Sequence, residues 1–192
     1  TRDDIFAGNE ETAKVTGVPF MLDVDDEKAL DILTKILYYV LYICIGVEMK
    51  IISILNHKGG VGKSTTATNL AYYLSTKGSV VLVDADDQKT ALTWHKYREN
   101  KDFDCVYLQG ELDAELTKLA QTYDNIVVDV AGKDSKEFRS TLFVADRLYI
   151  PTQTSQFDLD VLPQVTAFVD EIQAKANPNL KKFFFIFFIL NC

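Results

Sequence analysis

An α/β fold, with a mostly parallel sheet flanked by helices on both faces, is predicted by three observations in this 192-residue chain. Short apolar runs alternate with helical stretches from Met49 onward, which is the pattern of repeated βαβ units. The first of these runs, Ile51-Ile52-Ser53-Ile54-Leu55, feeds a glycine-rich loop that opens a helix. Two later runs end in acidic residues, as strands do when their C-terminal edge carries chemistry. The predicted strands are 50–56, 80–84, 105–108, 126–130, 148–151 and 182–190. Between the first two, 64–76 reads as a helix because Ala67, Leu70, Ala71 and Leu74 recur on one face. The stretch 111–122 repeats that spacing with Leu112, Leu116 and Leu119. Right-handed crossovers then gather the strand C-termini along one edge, where such folds bind ligands.

The loop reads His57-Lys58-Gly59-Gly60-Val61-Gly62-Lys63-Ser64-Thr65. Successive glycines let backbone N–H groups close on an anion, and the helix start adds its positive end to the same place. Lys58 and Lys63 bracket the loop, so their mutual repulsion is relieved by a bound polyphosphate. A glycine-rich turn with chance lysines does not account for strand, glycines, Lys-Ser-Thr and helix together. The general phosphate-loop pattern places a glycine where this chain has His57, and Lys58 is additional.

With that departure, Lys58-Gly59-Gly60-Val61-Gly62-Lys63-Ser64-Thr65 resembles the deviant Walker A box of the ParA/MinD ATPases, P-loop NTPases that segregate plasmids and chromosomes or position other cargo. The resemblance implies ATP and Mg²⁺: Gly59 to Thr65 around the phosphates, Lys63 on the β- and γ-phosphates, Ser64 on the metal and Thr65 at the α-phosphate. Lys58 would reach across a nucleotide-sandwich homodimer to the partner's phosphates. Val80-Val81-Leu82-Val83-Asp84-Ala85-Asp86-Asp87-Gln88 resembles the Walker A′ box, with Asp84 supporting the Mg²⁺ shell and Asp86 positioning the attacking water. The family's usual proline after Asp86 is Asp87 here, which reads as a solvated turn residue. Ile126-Val127-Val128-Asp129-Val130-Ala131-Gly132 resembles Walker B, with Asp129 on the metal through water and Gly132 sensing the γ-phosphate through its backbone. Residues 148–152, followed by Ser155 and Asp158, resemble the strand and loop before the family's long helix; packing and capping explain them as well as ligand contact does. Asn191 stands where some relatives contact adenine, and a terminal tail is the competing reading. Trp94 and Tyr97 read as core or helix packing rather than as a base-stacking pair.

Charge and cysteines narrow the field. Residues 1–48 carry ten acidic and four basic side chains, so −6 of the net −8 lies there. The near-neutral remainder argues against strong unaided DNA binding, and any DNA contact is expected to be weak, nonspecific and conditional. Cys44, Cys105 and Cys192 show neither metal spacing nor a disulfide framework, so they read as ordinary thiols in a cytoplasmic protein. The iron–sulfur branch of the same superfamily is excluded by the lack of cluster-ligating cysteines.

Two domains are expected: an extra segment at 1–48 and the ATPase domain at 49–192. Three readings of 1–48 stand: upstream sequence translated in frame, a helical dimerisation or docking arm, and a membrane-surface segment. Its apolar run, 36–47, is too short to span a bilayer. The run 183–190 reads as a buried central strand, and because relatives of this kind continue through another strand and closing helices, the domain reads as C-terminally truncated.

The expected function is an ATP-hydrolysing partition protein of the compact plasmid type. It would dimerise on ATP, associate loosely with the nucleoid, and be stimulated by a centromere-binding, ParB-like adaptor. The alternatives are a MinD-like positioning ATPase, which would hold membrane by a C-terminal amphipathic helix, and a remnant without activity.

Overall fold

A computed structural model describes residues 50–132, 135–153 and 156–187, with backbone alone at 153, 156–161 and 185–187. The readings of residues 1–48, Cys44, Ser155, Asn191 and Cys192 lie outside the described residues.

The chain alternates β1 (Ile51–Ile54), α1 (Lys63–Ser75), β2 (Val80–Ala85), α2 (Thr90–Tyr97), β3 (Asp104–Tyr107), α3 (Asp113–Leu119), β4 (Asn125–Val130), α4 (Lys136–Val144), β5 (Arg147–Gln153), α5 (Gln156–Lys175) and β6 (Lys181–Phe187). The six strands form one sheet in the order β3-β2-β4-β1-β5-β6, and every pairing is parallel. The predicted α/β class and all six strands are therefore present.

Strand and helix ends moved for physical reasons. β1 stops at Ile54 rather than running to residue 56, because the backbone leaves β5 after the Leu55 N–H donates to the Tyr149 carbonyl at 3.1 Å. The helix expected over 111–122 is only Asp113–Leu119, since Leu112 is its cap and the chain turns after Ala120. Among the described residues β6 pairs with β5 alone, and Phe184, expected to be buried, is exposed. Tyr97 is 80% exposed, which corrects its reading as a packing residue. Trp94 is partly exposed too, yet it stacks on Phe103 and lies beneath the Arg98 guanidinium.

Period-two alternation splits the strands between two cores. Ile51, Val81, Val83, Val128, Leu148 and Ile150 pack with Phe138 and Leu142 of α4 and Val165 and Val169 of α5. The alternate set, which includes Ile52, Ile54, Leu82 and Val127, is fully buried together with Ala67, Leu70 and Ala71 of α1. Asp84 and Asp129 belong by position to this second set. Both are buried at strand C-termini on the side that α1 covers.

The second crossover layer is fastened to the loop after β3. The Ser140 hydroxyl of α4 accepts the buried Leu112 N–H at 2.9 Å, and Glu137 accepts the Gly110 N–H at 2.6 Å. Ser140→Ala leaves the Leu112 donor buried without an acceptor, so it is expected to destabilise the fold by about 1–3 kcal/mol. Urea denaturation of the two proteins side by side measures this; equal midpoints and slopes would show that the latch carries no stability.

Candidate functional site

β1 delivers the chain into the glycine loop, and two glycines make its turn possible. Gly60 and Gly62 have φ of 77° and 88°, a left-handed conformation that side chains with a Cβ rarely adopt. Val61 between them is buried and anchors the loop, whereas Gly59 stands in open space. Gly62 is also the N-cap of α1. That helix starts with no side-chain cap and no acidic residue in its first turn, so the turn itself supplies no negative charge to its N–H groups and positive dipole end. Ser64 is half-buried and Thr65 exposed in the same turn.

Lys63 is only 8% exposed. Its ammonium donates to the Lys58 carbonyl at 3.0 Å, across the loop. Burial pushes its pKa below the ordinary lysine value, and the Asp129 and Asp86 carboxylates pull the other way. Lys58 itself is half-buried, and its N–H donates to the Asn56 side chain.

Sheet register brings the acids to the loop. Asp129 of β4 lies opposite Ile54 of β1 on one side and Asp84 of β2 on the other. It is 1% exposed, and among the described residues neither carboxylate oxygen has a hydrogen bond of normal geometry. Burial pushes its pKa up to about 7; the Ser64 hydroxyl, close by, and Lys63 oppose that rise, while Asp84 and Asp86 add to it. Asp84 is differently placed. Its two oxygens accept the Asp86 N–H at 3.1 Å and the Leu92 N–H at 2.8 Å, so it ties the A′ turn to the start of α2. Burial raises its pKa, and these backbone bonds oppose the rise.

Asp86 follows on the turn, where it accepts the Gln88 N–H at 2.9 Å. Asp87 does more than face solvent. It accepts from the Gln109 amide at 2.5 Å and the Tyr107 hydroxyl at 3.3 Å, which binds the A′ turn to the end of β3. Gly132 closes the site from the Walker B side. A Cβ there would lie 3.1 Å from both the His57 carbonyl and the Lys63 ammonium and 3.2 Å from the Asn56 carbonyl, so the backbone needs this glycine to approach the loop.

No group of three or more His, Cys, Asp or Glu side chains is arranged to hold a metal among the described residues. That donor set still suits Mg²⁺, which takes one or two protein oxygens and completes its shell with water and substrate phosphate. The buried Asp129 carboxylate beside the Ser64 hydroxyl is such a pair. Cys105 carries no such chemistry: it is half-buried, and burial pushes its thiol up to about 12.

Sequence reasoning found the loop, Asp84, Asp86, Asp129 and Gly132, and the structure gathers all of them around the C-terminal ends of β1, β2 and β4. It missed Asn56, treated as a strand end. Its side-chain amide donates to the Pro151 carbonyl at 2.8 Å, while its carbonyl oxygen accepts the Lys58 N–H at 3.1 Å. An Asn between an apolar run and a glycine loop is the local signal for such a turn.

A parallel sheet of this order, with the glycine loop leaving its β1 for an uncapped helix and a buried acid across from it, is the P-loop NTPase fold. The family model described as an AAA domain matches residues 49–109 and 107–182. This chain belongs to that family, as a ParA/MinD-type P-loop ATPase. It is 37% identical over 115 residues to maintenance of carboxysome distribution protein A of Gloeobacter kilaueensis, covering 59% of this chain and 53% of that protein. It is 28% identical over 166 residues to the chromosome-partitioning ATPase Soj of Thermus thermophilus, covering 70% and 67% respectively. Among solved structures, cobyrinic acid a,c-diamide synthase of Mycobacterium smegmatis with a bound ATP analogue and magnesium shares the fold at a TM-score of 0.64 and 18% identity, over 72% of this chain and 74% of that one. The chain spans from about half to two thirds of the length of these two curated relatives.

Proposed function

We propose that this protein is an ATP-dependent dimerising switch that hydrolyses ATP with Mg²⁺ and serves the segregation of DNA. The observation that carries the reading is the buried Asp129, whose carboxylate oxygens have no hydrogen bond of normal geometry among the described residues, beside a phosphate loop that bears two lysines, Lys58 and Lys63. In it, Lys63 binds the β- and γ-phosphates by exchanging the Lys58 carbonyl for phosphate oxygen. The N–H groups of Gly59 to Thr65 hold the remaining phosphate charge, and Gly132 brings the loop after β4 against the γ-phosphate. Ser64 and Asp129 hold Mg²⁺, with Asp84 supporting its water shell. When bound, the metal supplies neutralisation of the phosphate charge. Asp86 orients the attacking water, and no covalent intermediate is required.

Lys58 is the residue that turns nucleotide binding into dimerisation, by reaching the partner's phosphates. Partition work further needs a centromere-bound adaptor and weak nonspecific DNA contact, which a near-neutral domain allows only when copies are joined. Among the described residues no helix is long and apolar enough to cross a membrane. The 37% identity to a carboxysome distribution protein supports a second reading, in which the same switch distributes another cargo.

The test is gel filtration with Mg-ATP. The wild-type chain is expected to elute as a dimer with ATP and as a monomer with ADP, and Lys58→Ala to stay monomeric while still binding nucleotide. ATP-dependent dimers of undiminished strength in Lys58→Ala would remove this role. Retention on nonspecific DNA, as opposed to cosedimentation with liposomes, separates both readings from a membrane-positioning one.

A further inference from the structure

The chain leaves the sheet between β1 and the glycine loop, and a buried polar side chain sits at that point. Asn56 is 2% exposed. In a parallel ladder, the donor following the Leu55 N–H to Tyr149 carbonyl bond would be the N–H two residues on, aimed at the Pro151 carbonyl. The backbone has already left β5 by then. Asn56 Nδ2 supplies the missing donor, reaching the Pro151 carbonyl at 2.8 Å. Pro151 fits the same place, since its lack of an N–H costs nothing where no β1 carbonyl remains to receive one.

The other end of the amide works on the loop. Asn56 Oδ1 accepts the Lys58 N–H at 3.1 Å, and the carbonyl of that same Lys58 receives the Lys63 ammonium at 3.0 Å. A continuous path of three hydrogen bonds thus runs from β5 through Asn56 and the Lys58 backbone to Lys63. The Asn56 carbonyl also borders the position a Gly132 Cβ would occupy, at 3.2 Å, so β1, β4 and β5 meet the loop here.

From this path we infer that Asn56 is the positioning residue for both lysines of the phosphate loop: it sets the Lys58 backbone directly and, through the Lys58 carbonyl, the resting place of the Lys63 ammonium. Buried at 2% exposure, Asn56 acts through the Lys58 backbone. It acts by holding the turn before nucleotide arrives, so its loss is felt as poorer preorganisation. The inference rests on the ATPase reading above for its consequence in binding, and on the hydrogen-bond path alone for its structural content.

The experiment compares the full chain with Asn56→Ala and Asn56→Ser. Hydrogen exchange at the Lys58 amide is followed without nucleotide, and affinity for a fluorescent ATP analogue with Mg²⁺, kcat and KM are measured alongside. In Asn56→Ala, exchange at the Lys58 amide is expected to rise and analogue affinity to fall, each by roughly tenfold. Ser keeps an acceptor for the Lys58 N–H but is too short to reach Pro151, so Asn56→Ser is expected to recover most of the protection and affinity while remaining less stable to heat. Unchanged Lys58 exchange and affinity in a folded Asn56→Ala would overturn the inference. So would a folded Asn56→Ser that loses both, which also serves if the alanine variant does not fold. A wild-type chain that binds no Mg-ATP removes the ATPase reading instead, and the exchange measurement then still decides the place of Asn56.

Discussion

Asp129→Asn is expected to abolish ATP hydrolysis and, in the same protein, to make the nucleotide-free fold more stable at pH 8. The two effects share one cause. Asp129 is buried, among the described residues no hydrogen bond of normal geometry reaches its carboxylate oxygens, and burial pushes its pKa up to about 7 from an ordinary 3.8. Between roughly pH 4 and pH 7 the folded chain therefore keeps a proton that the unfolded chain has released. Stability falls as pH rises through that window and is level above it. The ionised carboxylate costs the empty fold on the order of a few kcal/mol at pH 8. Asparagine has the same shape and no charge. Its buried amide costs about 1–3 kcal/mol if unpaired, less than the charge it replaces. Urea denaturation at pH 5 and pH 8 is thus expected to show Asp129→Asn more stable than wild type at pH 8, with the advantage shrinking or reversing at pH 5. A variant no more stable at pH 8 than wild type would show that Asp129 is not a strained charge awaiting a cation. Turnover should fall at least 10²–10³-fold, as for loss of one fixed electrostatic partner of the transition state.

Lys63→Ala carries the second large effect, here on binding as well as on turnover. Its ammonium is 8% exposed, held at the Lys58 carbonyl and depressed in pKa by burial, so it waits in the loop as a partly desolvated cation. Phosphate oxygens repay that desolvation far better than a neutral carbonyl does. Removing the ammonium also takes away a charge that lowers the Asp129 pKa. We expect the affinity for Mg-ATP, read by titration calorimetry, to become too weak to measure, and turnover to drop about 10³-fold. Arginine should not rescue it, because a planar guanidinium does not fit where a compact ammonium rests against Gly132. Binding of Mg-ATP by Lys63→Ala within a few-fold of wild type would contradict the phosphate role.

These expectations depend on different kinds of information. The glycine loop was plain in the sequence because its chemistry is local: Gly60 and Gly62 supply left-handed turns, and Lys63-Ser64-Thr65 opens the helix without help from distant residues. The alternation of apolar runs and helices likewise revealed the parallel α/β class, since burial on both faces makes such strands almost continuously hydrophobic. Asp129 was named from its motif, but its state was not. A carboxylate at a strand end is ordinary until the register sets it between Ile54 and Asp84 and α1 closes over it. Asp87 is exposed on its turn, as read, but its bonds to Gln109 and Tyr107 were not legible, and Asn56 was passed over, because Gln109, Tyr107 and Pro151 are remote in sequence.

By itself, then, the sequence determined the residues of the phosphate loop, the order of strands and helices along the chain, and the acids at the strand ends. Tertiary structure alone decided the sheet order, the burial of Asp129 between Ile54 and Asp84, and the path from β5 through Asn56 to Lys63. Backbone turns and helix starts are governed by neighbours within a few residues. Burial, charge state and hydrogen-bond satisfaction depend on which distant strands the register sets side by side.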